Sequence, residues 1–329
     1  MNINARTHEI MRGIRSFSKE TYCKHEVLPE LFALQDELVE YVFPEEKREI
    51  QRLKIYDIED ELDIRNRSLG NPANDELEEF HKDCKDFCNM IRKEVSGGRG
   101  EQMAFQSLER LKGEHIILKN VELTESDART EIDAVVITCK GVYIVEVKNT
   151  KRDIFIDEQG DYYRTGEYLR WDSNIKSKLE TKEQLLRHVL EMHGIEGVPM
   201  RQVVVFTDNR IQVKNRCKAI QTCFLSQLPY IIGELLGVCE YNSEMIKMMA
   251  KTIDDARSYE SYPMKVDIQK MKLDFAKVMA EFENASIKME RRKRWRWFND
   301  FKFHKITPFG VSHAAAAVFP VLISCLKAK

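Results

Sequence analysis

The chain lacks the cysteine spacing that would hold zinc. Its eight cysteines (Cys23, Cys84, Cys88, Cys139, Cys217, Cys223, Cys239 and Cys325) include no C-x-x-C unit, and no histidine pair stands near them at ligand spacing. A zinc ribbon or finger needs such paired ligands. The first 19 residues also lack the apolar run of a secretory leader, so the expected compartment is the cytoplasm. A disulfide framework is not expected in a chain of 329 residues with no export signal. Cys84 and Cys88, four apart, fit one helix face as reduced residues. Excess charge of either sign is missing too: the formal net charge is −2, which speaks against a nucleic-acid coat or an acidic tail. There is no internal repeat and no low-complexity tract.

What the sequence does have is 43% hydrophobic residues, enough for a buried core, and 32% charged residues, which suits long solvated helices. Residues 1–95 read as a helical N-terminal region. Apolar residues recur there at three- and four-residue spacing, with a break at Gly70–Asp75. The texture changes at Ser96-Gly97-Gly98-Arg99-Gly100 and gives a second region, 96–237, that alternates helix and strand. Its expected elements are a helix over Glu101–Leu111 and strands over Ile132–Thr138 and Val142–Lys148. A hairpin follows over Asp153–Ile156 and Asp161–Tyr163, then a helix over Leu179–Met192, a buried strand over Gln202–Phe206 and a closing helix over Ser226–Leu236. That order is α/β. Residues 238–298 return to helix with a break near Ser261-Tyr262-Pro263, and 299–329 form a basic and apolar tail.

The chemistry gathers on Val142–Lys148. Alternation along a strand places Val142, Ile144, Glu146 and Lys148 on one face and Tyr143, Val145 and Val147 on the other. Both faces are largely apolar, so the strand is central. A carboxylate and an ammonium buried there are costly unless paired or bound to a cation. A two-residue turn at Cys139-Lys140 pairs Thr138 with Gly141, which brings Asp133 opposite Glu146. Opposed residues have Cβ atoms ~4.5–5.5 Å apart, close enough for two carboxylates to share one divalent ion. A shift of one residue would send Asp133 to the other face. Two such carboxylates without a cation repel, whereas a hard ion such as Mg²⁺ removes the conflict, activates water and steadies charge on a phosphate. The competing reading is a structural ion-pair network.

At these residues the sequence resembles the NERD (nuclease-related) domain of the PD-(D/E)xK nuclease superfamily. The shared elements, in order, are Gly97-x-x-Gly100-Glu101, Glu131-Ile132-Asp133, and the run from Gly141 to Asn149 that contains Glu146-x-Lys148. The likeness spans roughly residues 97–210. It implies a restriction-endonuclease-like αβββαβ core flanked by N- and C-terminal helical regions. It implies metal, Mg²⁺ or Mn²⁺, at Asp133 and Glu146, with Lys148 catalytic and Glu101 completing the acidic cluster through water. Gln184 fits the glutamine the family carries on the helix after the sheet, although Asn174 stands ten residues upstream of it without a following proline. The implied activity is metal-dependent hydrolysis of phosphodiester bonds in nucleic acid, with DNA as the expected substrate. The alternative is a non-catalytic nucleic-acid-binding or membrane-associated scaffold that keeps the fold.

Plainer roles remain for several residues. Glu101 also suits the first turn of a helix, where a carboxylate faces the helix dipole. Gln184 would serve as a surface amide, Glu131 as a solvated residue and Trp171 as a rim aromatic. His188 and His193, five apart, are poorly spaced for a shared metal. The run Arg291–Phe298 mixes five cations with Trp295, Trp297 and Phe298, and the apolar stretch Phe309–Leu326 follows it. Together they suit contact with an anionic membrane surface or a partner groove, and the helical arms offer surfaces for self-association.

Overall fold

A computed structural model describes residues 3–18, 21–22, 24–125, 128–166, 170–235, 237–258, 262–263 and 266–303. Its elements run α1 (Ile3–Gly13), β1 (Thr21–Tyr22), α2 (Lys24–Val42), α3 (Glu45–Ile50), α4 (Ile55–Ser68), α5 (Asn74–Leu108), β2 (His115–Glu125), β3 (Ala128–Thr138) and β4 (Gly141–Lys148). They continue with β5 (Ile154–Ile156), β6 (Asp161–Arg164), β7 (Arg170–Asn174), α6 (Ile175–Glu191), β8 (Met200–Phe206), β9 (Val213–Asn215), β10 (Gln221–Phe224) and α7 (Leu228–Tyr230). A π-helical turn (Ile231–Leu235), α8 (Ser243–Asp255), β11 (Tyr262–Pro263) and α9 (Ile268–Phe303) complete the order. The result is a mixed α/β chain with helices on either side of the sheet region.

The described residues divide into two compact units, one within 3–13, 57–81 and 271–303, the other within 14–56 and 82–270. The first is helical, as the apolar spacing of its segments implies. Phe80 and Phe275 meet with ring centroids 5.5 Å apart, and the Arg65 guanidinium lies over the Phe282 ring. Arg6 grips Glu283 through two hydrogen bonds of 2.7 and 2.8 Å. From Lys288 to Phe298, α9 is exposed on every side. Among the described residues no helix is long and apolar enough to cross a membrane, and the apolar stretch 309–326 lies outside them.

The second unit is built on a five-stranded sheet ordered β10-β8-β4-β3-β2. β4 is central, antiparallel to β3 and parallel to β8. Alternating side chains create two apolar layers. Val142 and Ile144 of β4, with Val135 and Ile137 of β3, pack with Leu179 and Leu186 of α6 and with Ile246 and Ile253 of α8. Tyr143 and Val145, with Ala134 and Val136, pack on the opposite side with Ala104 and Leu108 of α5 and with Leu228 and Ile232. A strand covered on both faces reads as a near-continuous apolar run, and β4 does so until Glu146. A smaller sheet, ordered β7-β6-β5-β9, contains the expected hairpin around Gln159-Gly160.

Four features differ from the sequence expectations. First, α5 runs for 35 residues straight through Ser96–Gly100, where the texture changes. Glycine costs a helix ~1 kcal/mol per residue, and of this stretch Gly100 alone is buried. Second, β2, a strand of 11 residues at the sheet edge, has no counterpart among the expected elements. Third, the expected closing helix over Ser226–Leu236 is a short α-helical turn that passes into a π-helical one. Fourth, Cys139 and Cys239 form a disulfide across 100 residues, with Cα atoms 4.7 Å apart. The expectation of no disulfide is therefore overturned at this pair. The backbone explains how the two meet: the N–H groups of Glu240 and Tyr241 both donate to the Cys139 carbonyl, which draws the segment before α8 onto the β3–β4 turn.

Candidate active site

The turn between β3 and β4 fixes everything that follows on these strands. Thr138 pairs with Gly141 across Cys139-Lys140, and the ladder continues to Ala134 opposite Val145, in the register the sequence implies. Gly141 has φ +117°, and a Cβ there would stand 2.3 Å from the Pro199 carbonyl oxygen, so only glycine lets β4 begin so close to the segment entering β8. The register puts Glu146 and Lys148 on the α6 face of the sheet, as alternation requires. There Lys148 Nζ donates to Glu146 Oε1 at 2.5 Å.

Asp133 reaches the same place by a different route from simple cross-strand pairing. The β3–β4 ladder stops at Ala134, and the β2–β3 ladder passes from Ala134 opposite Lys119 to Ile132 opposite Val121, leaving Asp133 and Asn120 unpaired. Asn120 there has a left-handed backbone, φ +50°. Freed from the ladder, Asp133 accepts a hydrogen bond from the Val147 N–H, 2.6 Å from its Oδ2. Its carboxylate is thus anchored between the positions of Glu146 and Lys148.

A residue that the motif does not point to completes the cluster. Lys182 of α6 is buried, 7% exposed, and its ammonium donates to Glu146 Oε2. Both carboxylate oxygens of Glu146 therefore carry an ammonium partner. The signal for Lys182 was present in the sequence: Ile175, Leu179, Lys182, Leu186 and Leu190 recur at helical spacing, which puts a lysine in the middle of the apolar face of α6. Asn174 caps that helix by accepting from the Ser177 N–H at 2.8 Å, which is the role it plays in place of the missing Asn-Pro pattern.

Burial and neighbouring charges shift Asp133, Glu146 and Lys148. Burial, and then the charge of Glu146, push the Asp133 carboxyl up to about 7. Burial works against the charged form of Glu146 as well, but Lys148 and Lys182 outweigh it and hold this carboxyl at about 2. Burial favours the neutral amine of Lys148, yet Glu146 more than compensates and raises its pKa. Tyr162, fully buried nearby, has its hydroxyl pushed up to about 12 by burial. Two adjacent carboxylates pushed in opposite directions mark a strongly coupled charged site.

The motif glycine and asparagine support this cluster. A Cβ on Gly100 would stand 2.7 Å from Asn149 Cβ, so the α5 backbone approaches the end of β4 only because residue 100 has no side chain. Asn149 Nδ2 donates to the Ser96 carbonyl oxygen at 2.7 Å, and Asn149 Oδ1 accepts from Thr207 Oγ1 at 2.7 Å. One side chain thus ties α5 to the ends of β4 and β8, directly after Lys148.

Of the five residues singled out from sequence, the fold brings Asp133, Glu146 and Lys148 together. Gln184 is exposed on α6, roughly 200° round the helix from Lys182. Glu101 is half-buried on α5, with Oε1 4.0 Å from the place of a Cβ on Gly97. Among the described residues no three His, Cys, Asp or Glu side chains are grouped to hold a metal ion. Trp171 is exposed and donates to Asp161, and His188 pairs with Glu125 at 2.9 Å. The oxygen donors of Asp133 and Glu146 suit a hard divalent cation, which on Glu146 would share or compete for oxygens that each already accept from one ammonium.

Residues 96–207 match the family model of the nuclease-related domain, NERD. The matched span opens within α5 and closes just past β8, and it contains Asp133, Glu146, Lys148 and Lys182. No curated protein and no solved structure matches the chain.

Proposed function

We propose that residues 96–207 carry out metal-dependent hydrolysis of phosphodiester bonds in nucleic acid, with DNA as the substrate. The observation that supports this reading best is the placement of Glu146 and Lys148 one pleat apart on β4, with Asp133 anchored between them from β3. In this reading α5, β2, β3, β4, α6 and β8 make up the αβββαβ core of a restriction-endonuclease-like fold. Asp133 and Glu146 would hold Mg²⁺ or Mn²⁺, which supplies positive charge at the phosphate and lowers the pKa of a bound water. Lys148, kept protonated by Glu146, aims an N–H at the attacking water or at the charge that develops on the phosphate. Val147 fixes the Asp133 carboxylate through its backbone, so the acid needs no reorganisation to act. Glu101 would complete the acidic cluster through water, and Gln184 would take the place of the glutamine on the helix after the sheet.

The test is cleavage of single-stranded, duplex and supercoiled DNA and of RNA, with Mg²⁺ or Mn²⁺, by the full chain and by Lys148→Ala. Metal-dependent cleavage of DNA by the wild type, lost in Lys148→Ala, is the expected result. Full activity without Lys148 would falsify its assignment. A second reading, a nucleic-acid-binding module without turnover, is favoured by one observation: both Glu146 oxygens already have ammonium partners. Calorimetry separates the two, because the enzyme reading requires Mn²⁺ binding that Asp133→Ala abolishes.

A further inference from the structure

Lys182 is a strange residue for its position. It lies on the apolar face of α6 between Leu179 and Leu186, where a leucine or methionine would fill the space without a charge. An ammonium has three N–H groups to satisfy, and among the described residues Lys182 has one acceptor, Glu146 Oε2. Burying a charge with so few partners is unfavourable on its own. Glu146 does not require it for neutrality by itself, since Lys148 already sits on Oε1. The charge count makes sense only for the cluster as a whole: two carboxylates, Asp133 and Glu146, against two ammoniums, Lys148 and Lys182. Lys148 is fixed on the same strand as Glu146. Lys182 reaches in from another element and is the more deeply buried, its side chain 9% exposed against 29% for Lys148, so it is the cation whose charge water screens least.

We infer that the Lys182 ammonium stands in for the divalent cation, neutralising Glu146 in the metal-free protein and withdrawing when a metal binds, so that Lys182 sets the metal affinity of the site. The inference rests on the metal reading above and deepens it. A divalent ion on Oε2 competes with the Lys182 ammonium for the same oxygen, and the work of that competition is subtracted from its binding. Lys182 is thus a positioning residue for Glu146, distinct from Lys148, which stays beside the reacting atoms. A merely structural lysine predicts lower stability in variants and no change in metal affinity. A phosphate-contacting lysine predicts lower activity and no change in metal affinity.

The experiment is Mn²⁺ calorimetry on the full chain as wild type, Lys182→Met and Lys182→Arg, with thermal melts in EDTA and in Mn²⁺. Lys182→Met is expected to bind Mn²⁺ at least ~10-fold more tightly, to melt lower in EDTA and to gain more from added Mn²⁺ than the wild type. Lys182→Arg, which keeps a cation, is expected to bind no more tightly than the wild type. Acetylation of the Lys182 amine, followed by mass spectrometry on the wild type, gives a readout that needs no variant: Mn²⁺ is expected to speed it several-fold, and an unchanged or slower rate overturns the inference. Equal or weaker Mn²⁺ binding by a folded Lys182→Met overturns it as well, while binding by the wild type leaves the metal reading intact. No binding by wild type or variants overturns both.

Discussion

The cluster on β4 and the far end of α9 are made of the same materials, lysine or arginine beside carboxylates, and differ in their access to water. At Glu146 the carboxylate is 8% exposed, and each oxygen is held by a buried or half-buried ammonium. At the end of α9, Arg294 and Glu290 approach only to 4.0 Å, with side chains 85% and 71% exposed. Water screens the second pair and leaves the first nearly bare, so a buried pair is worth far more to break than an exposed one. The region richest in charge along the sequence is therefore weakly coupled in space. The strongly coupled one is assembled from residues that stand far apart in the chain.

Removing one partner at each place sharpens that contrast. Glu146→Gln removes the negative charge that two ammoniums share and leaves a carbonyl acceptor for only one of them, with an NH2 facing the other. The expected loss is ~3–5 kcal/mol of unfolding free energy in metal-free protein, measured by urea denaturation. Glu290→Gln is expected to change stability by less than ~0.5 kcal/mol. A loss below ~1 kcal/mol for Glu146→Gln would mean that water reaches the cluster, and the contrast between buried and exposed charge would break.

A second comparison lies within α5. Gly100 meets Asn149 at a distance no Cβ tolerates, while a Cβ at Gly98 would meet nothing within 4 Å. Alanine favours a helix over glycine by ~1 kcal/mol. Gly98→Ala should therefore stabilise the protein by ~0.5–1 kcal/mol. Gly100→Ala should destabilise it by ~1–3 kcal/mol, because the overlap is with a Cβ and the end of β4 must move. Stabilisation by both alanines would show that the approach of α5 to Asn149 is looser than the contact distances state.

These residues also show where the sequence was legible. Period-two alternation and a two-residue turn were enough to set the β3–β4 register from Thr138 to Ala134 and to put Glu146 and Lys148 on one face. The local kink at Asp133 was not legible, because it depends on the left-handed backbone of Asn120 in a strand that no alternation marked. Lys182 was legible only as a fault in the apolar stripe of α6; which carboxylate it meets depends on how that helix lies on the sheet. The glycines at 97, 98 and 100 look like a helix breaker locally, and α5 nonetheless runs through them, with Gly100 packed on Asn149. The Cys139–Cys239 bond joins positions 100 residues apart and leaves no local trace.

The smallest effect on stability is expected at the end of α9, where the effect on binding should be large. Trp295, Trp297 and Phe298 are 69%, 65% and 61% exposed among five cations. Replacing Arg291, Arg292, Lys293, Arg294 and Arg296 by glutamine removes no buried partner, so each change should cost less than ~0.5 kcal/mol. The same cations near an anionic bilayer are worth ~1 kcal/mol apiece at low salt, and tryptophan favours the interface. The full chain is therefore expected to sediment with phosphatidylserine vesicles, to release as salt rises and to ignore neutral vesicles, and the five-glutamine variant should not sediment. Retention of vesicle binding by that variant would assign the contact to another part of the chain. Salt-sensitive binding of duplex DNA without vesicle binding would assign these cations to the substrate instead.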